Sequence, residues 1–214
     1  MLIVRFSWRC SLRKYVIGLL TGLVALCVAF WLIMTFVQYP EIQYLPFYTF
    51  NTVSRIIITL LISIAWGVFF GILATTNKVA SVIIIPFIDL LQSIPILGYF
   101  PMVIAFLFSL GGFGIELSVI VLLFTSMAWA IFFGVVGAIP TNVIESAQCF
   151  GLKGWRYIRH VILPAIAPAV VTGANLAWCD GWFFMIAAEY IKYKGEVVEP
   201  PSGGLGYLLA KAAY

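Results

Sequence analysis

Charge is what this sequence has least of. Only 9% of its 214 residues are Asp, Glu, Lys or Arg, against about 25% in an ordinary soluble domain. So few charges do not cover the surface of a soluble protein of this length, and a chain this apolar does not stay disordered. There is one histidine, and no cluster of His, Asp and Glu has metal-ligand spacing. The four cysteines, Cys10, Cys27, Cys149 and Cys179, show no CxxC pattern and are expected to pack as inert small hydrophobes. A membrane enzyme finds no support, because no nucleophile stands beside a base. No GxxxxGK[ST] stretch occurs, so the chain does not cradle a nucleotide phosphate in the usual way. No cofactor, no metal and no nucleic acid are expected. The net charge of +4 suits contact with anionic lipid and a cytoplasmic partner.

What is present is apolar sequence, 64% of the chain, in long unbroken runs. A barrel strand alternates apolar and polar residues over about 10 positions. Continuous runs must instead satisfy their backbone internally, as helices. The expected fold is therefore all-α, a polytopic transmembrane bundle of about five complete spans. The first covers 15–37 and is read as a retained helix, since 38–43 makes a poor signal-cleavage site. The aromatic residues of 38–50 suit a membrane interface. A second span covers 55–76. Residues 79–110 are too long for one straight crossing, and Pro86, Pro95 and Pro101 predict a kinked or broken helix. A tight turn at 111–114 leads to a span at 115–138. The last complete span covers 165–191, and the tail 192–214 stays outside.

Short-loop charges set the expected orientation. Residues 1–14 carry four basic residues, 76–78 one and 139–164 three, eight of the twelve in the chain. All fall on one side if the N-terminus is cytoplasmic. Arg55 then marks the outer edge of the second span.

Residues 139–164 are too long and too patterned for a simple link. Val143, Ala147 and Phe150 share one side of a predicted short amphipathic helix, with Ile144 near it. Gly151 ends that helix, because glycine takes the left-handed cap conformation freely. A second short helical turn follows, and the chain re-enters the membrane at Val161–Pro164. An apolar face with a basic rim suits docking of a cytoplasmic protein. The alternative is a helix resting on lipid headgroups. His160 is read as structural or as part of that rim.

Glu145, Ser146, Ala147, Gly151, Val161, Leu163 and Pro164, at this spacing, resemble the EAA loop of permease subunits of binding-protein-dependent ABC importers. Ser146 and Val161 depart slightly from the pattern. Ser54-Arg55, the run Ser93 to Pro101, and Ala188-Glu189 with Gly204-Leu205-Gly206 resemble the nitrate, sulfonate and taurine branch. The resemblance covers about 51–210. It implies a core at 51–214, after an N-terminal segment, first helix and outer loop at 1–50, and it implies that the core lacks its last span. It further implies that the 145–151 helix couples to a separate ATP-binding cassette subunit, with Ala147 and Phe150 as contacts and Glu145 as a polar anchor. A second permease copy or a homologous permease, an extracytoplasmic solute-binding protein and membrane lipid are the other implied partners. The implied cargo is a small oxyanion such as nitrate, sulfonate or taurine, carried across the prokaryotic inner membrane.

Polar residues within spans are expected to face protein or water. Ser93, Pro95, Gly98, Pro101, Asn175, Asp180 and Glu189 are the candidates for a translocation path. Each also has a structural reading. Ser93–Pro101 is then a plain kink, Asp180 a structural hydrogen bond, and Glu189 an interfacial ion pair with Lys192 or a solvated group. Asp89 is read as satisfying backbone freed by Pro86. A different class of function, an ion-coupled secondary transporter, would use Asp89, Asp180 and Glu189 as carriers.

Overall fold

A computed structural model describes residues 8–36, 43–152, 154–190, 192–193, 196–197 and 200–212. The first part of the basic segment 1–14 and the first part of the aromatic segment 38–50 lie outside these. The chain divides into two compact units, Met1–Leu45 and Pro46–Tyr214. The first holds α1 (Trp8–Phe36). Within α1, Leu19, Leu20, Leu23, Val24 and Leu26 are all exposed, so the helix is apolar all round, as a lipid-facing helix is.

The second unit begins with α2 (Leu45–Thr76). This helix starts about ten residues earlier than the apolar run suggested, because the aromatic-rich segment continues the helix instead of lying along an interface. Its buried residues, Thr52, Arg55, Ile56, Thr59, Ser63, Gly67, Gly71 and Ala74, recur every three or four positions and form one face. The close approach to α5 (Gly112–Gly137) requires glycine. A Cβ on Gly67 would meet Ile131 Cγ2 at 2.8 Å, and one on Gly71 would meet Val135 Cγ1 at 2.5 Å. Small residues four apart let two membrane helices touch backbone to side chain.

Asn77 separates α2 from α3 (Lys78–Ser93), and its side chain accepts hydrogen bonds from the Val79 and Ala80 amides. The expected break in 79–110 falls at Ile94-Pro95, before α4 (Ile96–Phe108). Ile94 is extended, at φ −82° and ψ 120°, the conformation a following proline imposes. Pro86 and Pro101 stay inside helices. The two helices meet at 98°.

α6 (Thr141–Cys149) lies in the connection after α5. α7 (Gly154–Tyr157) does not form a separate short helix, contrary to expectation. It passes through a π-helical turn at Ile158–Ile162 directly into α8 (Leu163–Glu189). The Leu163 amide bonds to the Ile158 carbonyl, so the helix accommodates Pro164, which has no amide hydrogen to donate. A two-stranded antiparallel ladder, β1 (Lys192–Tyr193) with β2 (Glu196–Val197), precedes α9 (Leu205–Ala212).

Among the described residues, three helices are long and apolar enough to cross a membrane: Leu45–Thr76, Gly112–Gly137 and Gly154–Glu189. α3 and α4 together make a fourth, as a broken span or re-entrant loop. The fifth expected crossing, 15–37, ends outside the described residues and is represented by the shorter apolar stretch Gly18–Ile33. The main core joins α2, α5 and α8 through Ile56, Val119, Leu123, Met127, Ile131, Ala177, Met185 and Ala188. α5 runs between the other two and packs most extensively on α8.

Candidate functional site: a polar cage, a cavity and an exposed loop

The start of α2, the start of α5 and the end of α8 meet at one end of the second unit. There Arg55, only 4% exposed, uses all of its donor groups. Nε donates to Glu116 at 2.5 Å, and one terminal nitrogen donates to Glu189 at 2.6 Å and to the Gly203 carbonyl at 2.7 Å. The other donates to Glu116 at 2.9 Å and to Ser202 Oγ at 2.7 Å. The planar fork of arginine suits two carboxylates on adjacent edges, which an ammonium would not.

Glu189 is fully buried. Thr52 Oγ1 donates to both of its oxygens, at 2.9 and 3.0 Å, and the Gly206 amide donates at 3.0 Å. The Leu205 amide donates to Thr52 Oγ1 at 3.0 Å. Glu189 and Thr52 together therefore satisfy the first free amides of α9, where a negative charge is favoured. A Cβ on Gly204 would overlap the Glu189 carboxylate. The Asn51 side chain also donates to the Ser202 carbonyl. The cage thus ties the tail to three helices.

This corrects two expectations. Glu189 is not solvated; it is buried and paired with Arg55, while the side chain of Lys192 lies outside the described part. Arg55, expected at the outer edge of the second span, lies ten residues inside α2 and is buried in the bundle. The Glu189 carboxylate is occupied by three partners, Thr52, Arg55 and the Gly206 amide, which counts against Glu189 as a mobile carrier in the ion-coupled reading. Glu116, Thr52 and Ser202 were not singled out from the sequence. A lone arginine in an apolar run, in a chain with eight acids, was the available signal, because such a charge needs a counter-charge nearby.

A second feature is a cavity of about 630 Å³ where the α3–α4 break faces α5 and α8. Asp89, Gln92, Pro95, Ser126, Trp129 and Asp180 are among the residues lining it. Two path candidates, Pro95 and Asp180, thus come together. Ser93, Gly98, Pro101 and Asn175 are exposed but do not line this cavity. Asp89 does not satisfy freed backbone with its carboxylate. Its carbonyl accepts from Ser93 Oγ at 2.8 Å, and its side chain opens to the cavity.

The connection at 138–162 occupies the other end of α8, about 39 Å from Glu189 at 1.5 Å per residue. Gly151 has φ 68°, and the Leu152 amide donates to the Ala147 carbonyl at 3.1 Å. This is the expected glycine cap in its six-to-one form. The predicted shared apolar side divides, however. Ala147 is 4% exposed, and Val143 and Ile144 pack on Val135, Ile139, Ile162 and Ile166 of the same chain. Phe150 is 83% exposed and Trp155 67%. The physical reason is that α6 lies on its own bundle and spends its small apolar residues there. Glu145, Ser146 and Gly151 are exposed, and Ser146 Oγ bonds back to the Asn142 carbonyl at 2.7 Å. Val161 is half-buried in the π turn, and Leu163 and Pro164 open α8 on exposed positions. His160 Nδ1 donates to the Arg156 carbonyl at 3.0 Å.

Among the described residues, no group of three His, Cys, Asp or Glu is placed to hold a metal. Cys27, Cys149 and Cys179 are free and exposed, so they are not packed inside as expected.

The chain is similar to a putative ABC transporter permease protein of Methanocaldococcus jannaschii, 29% identical over 165 residues, covering 76% of this chain and 56% of the relative. It is similar to the taurine transport system permease protein TauC of Escherichia coli, 26% identical over 161 residues, covering 75% of this chain and 55% of that protein. The nitrate import permease protein NrtB of Synechococcus elongatus is 25% identical over 162 residues, covering 74% of this chain and 53% of the relative. The match thus spans little more than half the length of these relatives. The family model described as binding-protein-dependent transport system inner membrane component matches residues 64–213, and the chain belongs to that family of multi-pass membrane proteins.

Proposed function

We propose that this chain is the transmembrane permease subunit of an ATP-driven importer for a small solute, driven by a separate ATP-binding cassette subunit. The observation that carries this reading is the α6 turn in a family member. A glycine-capped helix rests on the bundle through Ala147, Val143 and Ile144 and presents Phe150 outward at its tip. An exposed aromatic beside a rigid turn is the kind of anchor that fills a partner's pocket. Trp155, Arg156 and Arg159 extend the exposed surface.

In this reading the N-terminus and the 139–164 loop are cytoplasmic, and the Arg55 cage faces outward. Residues 1–50 precede a permease core at 51–214. A second permease, identical or homologous, completes the path, and an extracytoplasmic binding protein delivers the solute. The names of the relatives support an oxyanion such as nitrate, sulfonate or taurine as cargo.

Co-purification with candidate ATP-binding subunits tests the proposal. The wild-type chain retains one, and Gly151→Asp, which strains the φ 68° turn and places a charge at the tip, releases it. If no ATP-binding subunit stays with the wild-type chain, the importer reading fails.

A further inference from the structure

The cavity beside the α3–α4 break has a chemistry that the proposed cargo class leaves open. Among the described residues, its ionisable lining groups are the carboxylates of Asp89 and Asp180, and no Lys, Arg or His lines it. Neither carboxylate has a hydrogen-bond or ion-pair partner among the described residues. Aromatic residues make up much of the remaining wall: Trp129 and Phe133 from α5, Phe183 and Phe184 from α8. The basic residue of the core, Arg55, is fully occupied elsewhere.

From this we infer that the cavity is a binding site for the cationic nitrogen of a solute, an ammonium or quaternary ammonium group, and not for a bare oxyanion. The inference rests on the permease reading and narrows its cargo to solutes that carry a positive nitrogen.

The physics is that of a concave site with a few convergent polar groups. Asp89 and Asp180 are both exposed at the open cavity, and two unpaired carboxylates on one wall together attract a cation and repel an anion. Indole and phenyl faces present negative charge density and add to the attraction for an ammonium. Nitrate brings to such a site only a negative charge. A zwitterion brings a positive end that the carboxylates and ring faces hold, with its anionic end pointing away from them. Asp89 comes from α3 and Asp180 from α8, so a bound ammonium also bridges the broken segment to the main bundle. A substrate that links two elements in this way favours the arrangement in which they are close.

Taurine and ethanesulfonate differ only by an amino group, and that pair isolates the inference. Binding of each is measured by calorimetry on the chain in nanodiscs, in complex with the ATP-binding subunit that co-purifies with it. Taurine is expected to bind at least about tenfold tighter than ethanesulfonate. Asp180→Asn is expected to bring the two within about threefold of each other, and Trp129→Leu to weaken taurine alone. If Asp180→Asn loses its ATP-binding subunit or its thermal transition, Asp89→Asn carries the same comparison. Equal binding of the two probes, tighter binding of ethanesulfonate, binding of neither, or a taurine preference that survives Asp89→Asn with Asp180→Asn each overturns the inference. The permease reading is scored separately, by retention of the ATP-binding subunit. A retained subunit with no taurine preference sinks the cation site alone.

Discussion

The two ends of α8 solve opposite problems with similar residues. At the cage end, Arg55, Glu116 and Glu189 are charged, and every donor of the arginine is spent inside the chain. At the loop end, Arg156, Arg159 and Glu145 are charged and exposed, and Phe150 and Trp155 stand out from the surface. Buried charges must find partners or cost several kcal/mol each, about what a marginal fold has to spare. Exposed ones are stable in water and remain available. The difference separates a region that fixes the bundle from a region free to meet something else.

The largest expected effect breaks the cage. Arg55→Ala leaves Glu189 buried without its counter-charge, and such a loss costs about 3–5 kcal/mol. The thermal unfolding midpoint in detergent should fall sharply, and Arg55→Lys should not restore it, because an ammonium does not serve both carboxylates and Ser202 together. A midpoint unchanged in Arg55→Ala would refute the cage as a structural tie.

The next variant separates the ends. Phe150→Ala removes an exposed side chain, so the midpoint should stay within the scatter of surface substitutions, about 0.5 kcal/mol. Retention of the ATP-binding subunit should nevertheless fall, by about 2 kcal/mol if Phe150 is an interface anchor. A drop in midpoint with retention unchanged would reverse the assignment of the two regions.

The smallest effect is expected at His160, whose bond to the Arg156 carbonyl is local and exposed. His160→Ala should move stability by less than about 0.5 kcal/mol and leave ATP-binding-subunit retention unaltered. A tenfold loss of retention would enlarge the docking surface beyond the α6 tip.

What was legible in the sequence follows the range of the interactions. The apolar runs, the break near Pro95 and the Gly151 cap are set by neighbouring residues, and all three are seen in the structure. The cage is not local. Arg55 and Glu116 are 61 residues apart, and Arg55 and Glu189 are 134 apart. No spacing rule links them, so Arg55 read as a charge at a span edge and Glu189 as an interfacial group. Ala147 shows a subtler limit. Periodicity placed it correctly on an apolar side, but periodicity alone does not tell which neighbour that side meets. The merging of α7 into α8 was hidden for another reason: Pro164 reads as a helix start, and a π turn that bypasses its missing amide leaves no mark in composition.

That π turn has a mechanical consequence. Gly154 to Glu189 is one continuous helical run, about 53 Å long at 1.5 Å per residue, and its bending points, the π turn at Ile158–Ile162 and Pro168, both lie in the loop-end half. For movement of this helix as a unit, the end where Arg55 clamps Glu189 would be the pivot. A tilt of about 5° about that pivot sweeps the far end through about 5 Å, one helical turn. The clamp and the lever arm are therefore one device: loosening the first would let the second slip before it moved a load.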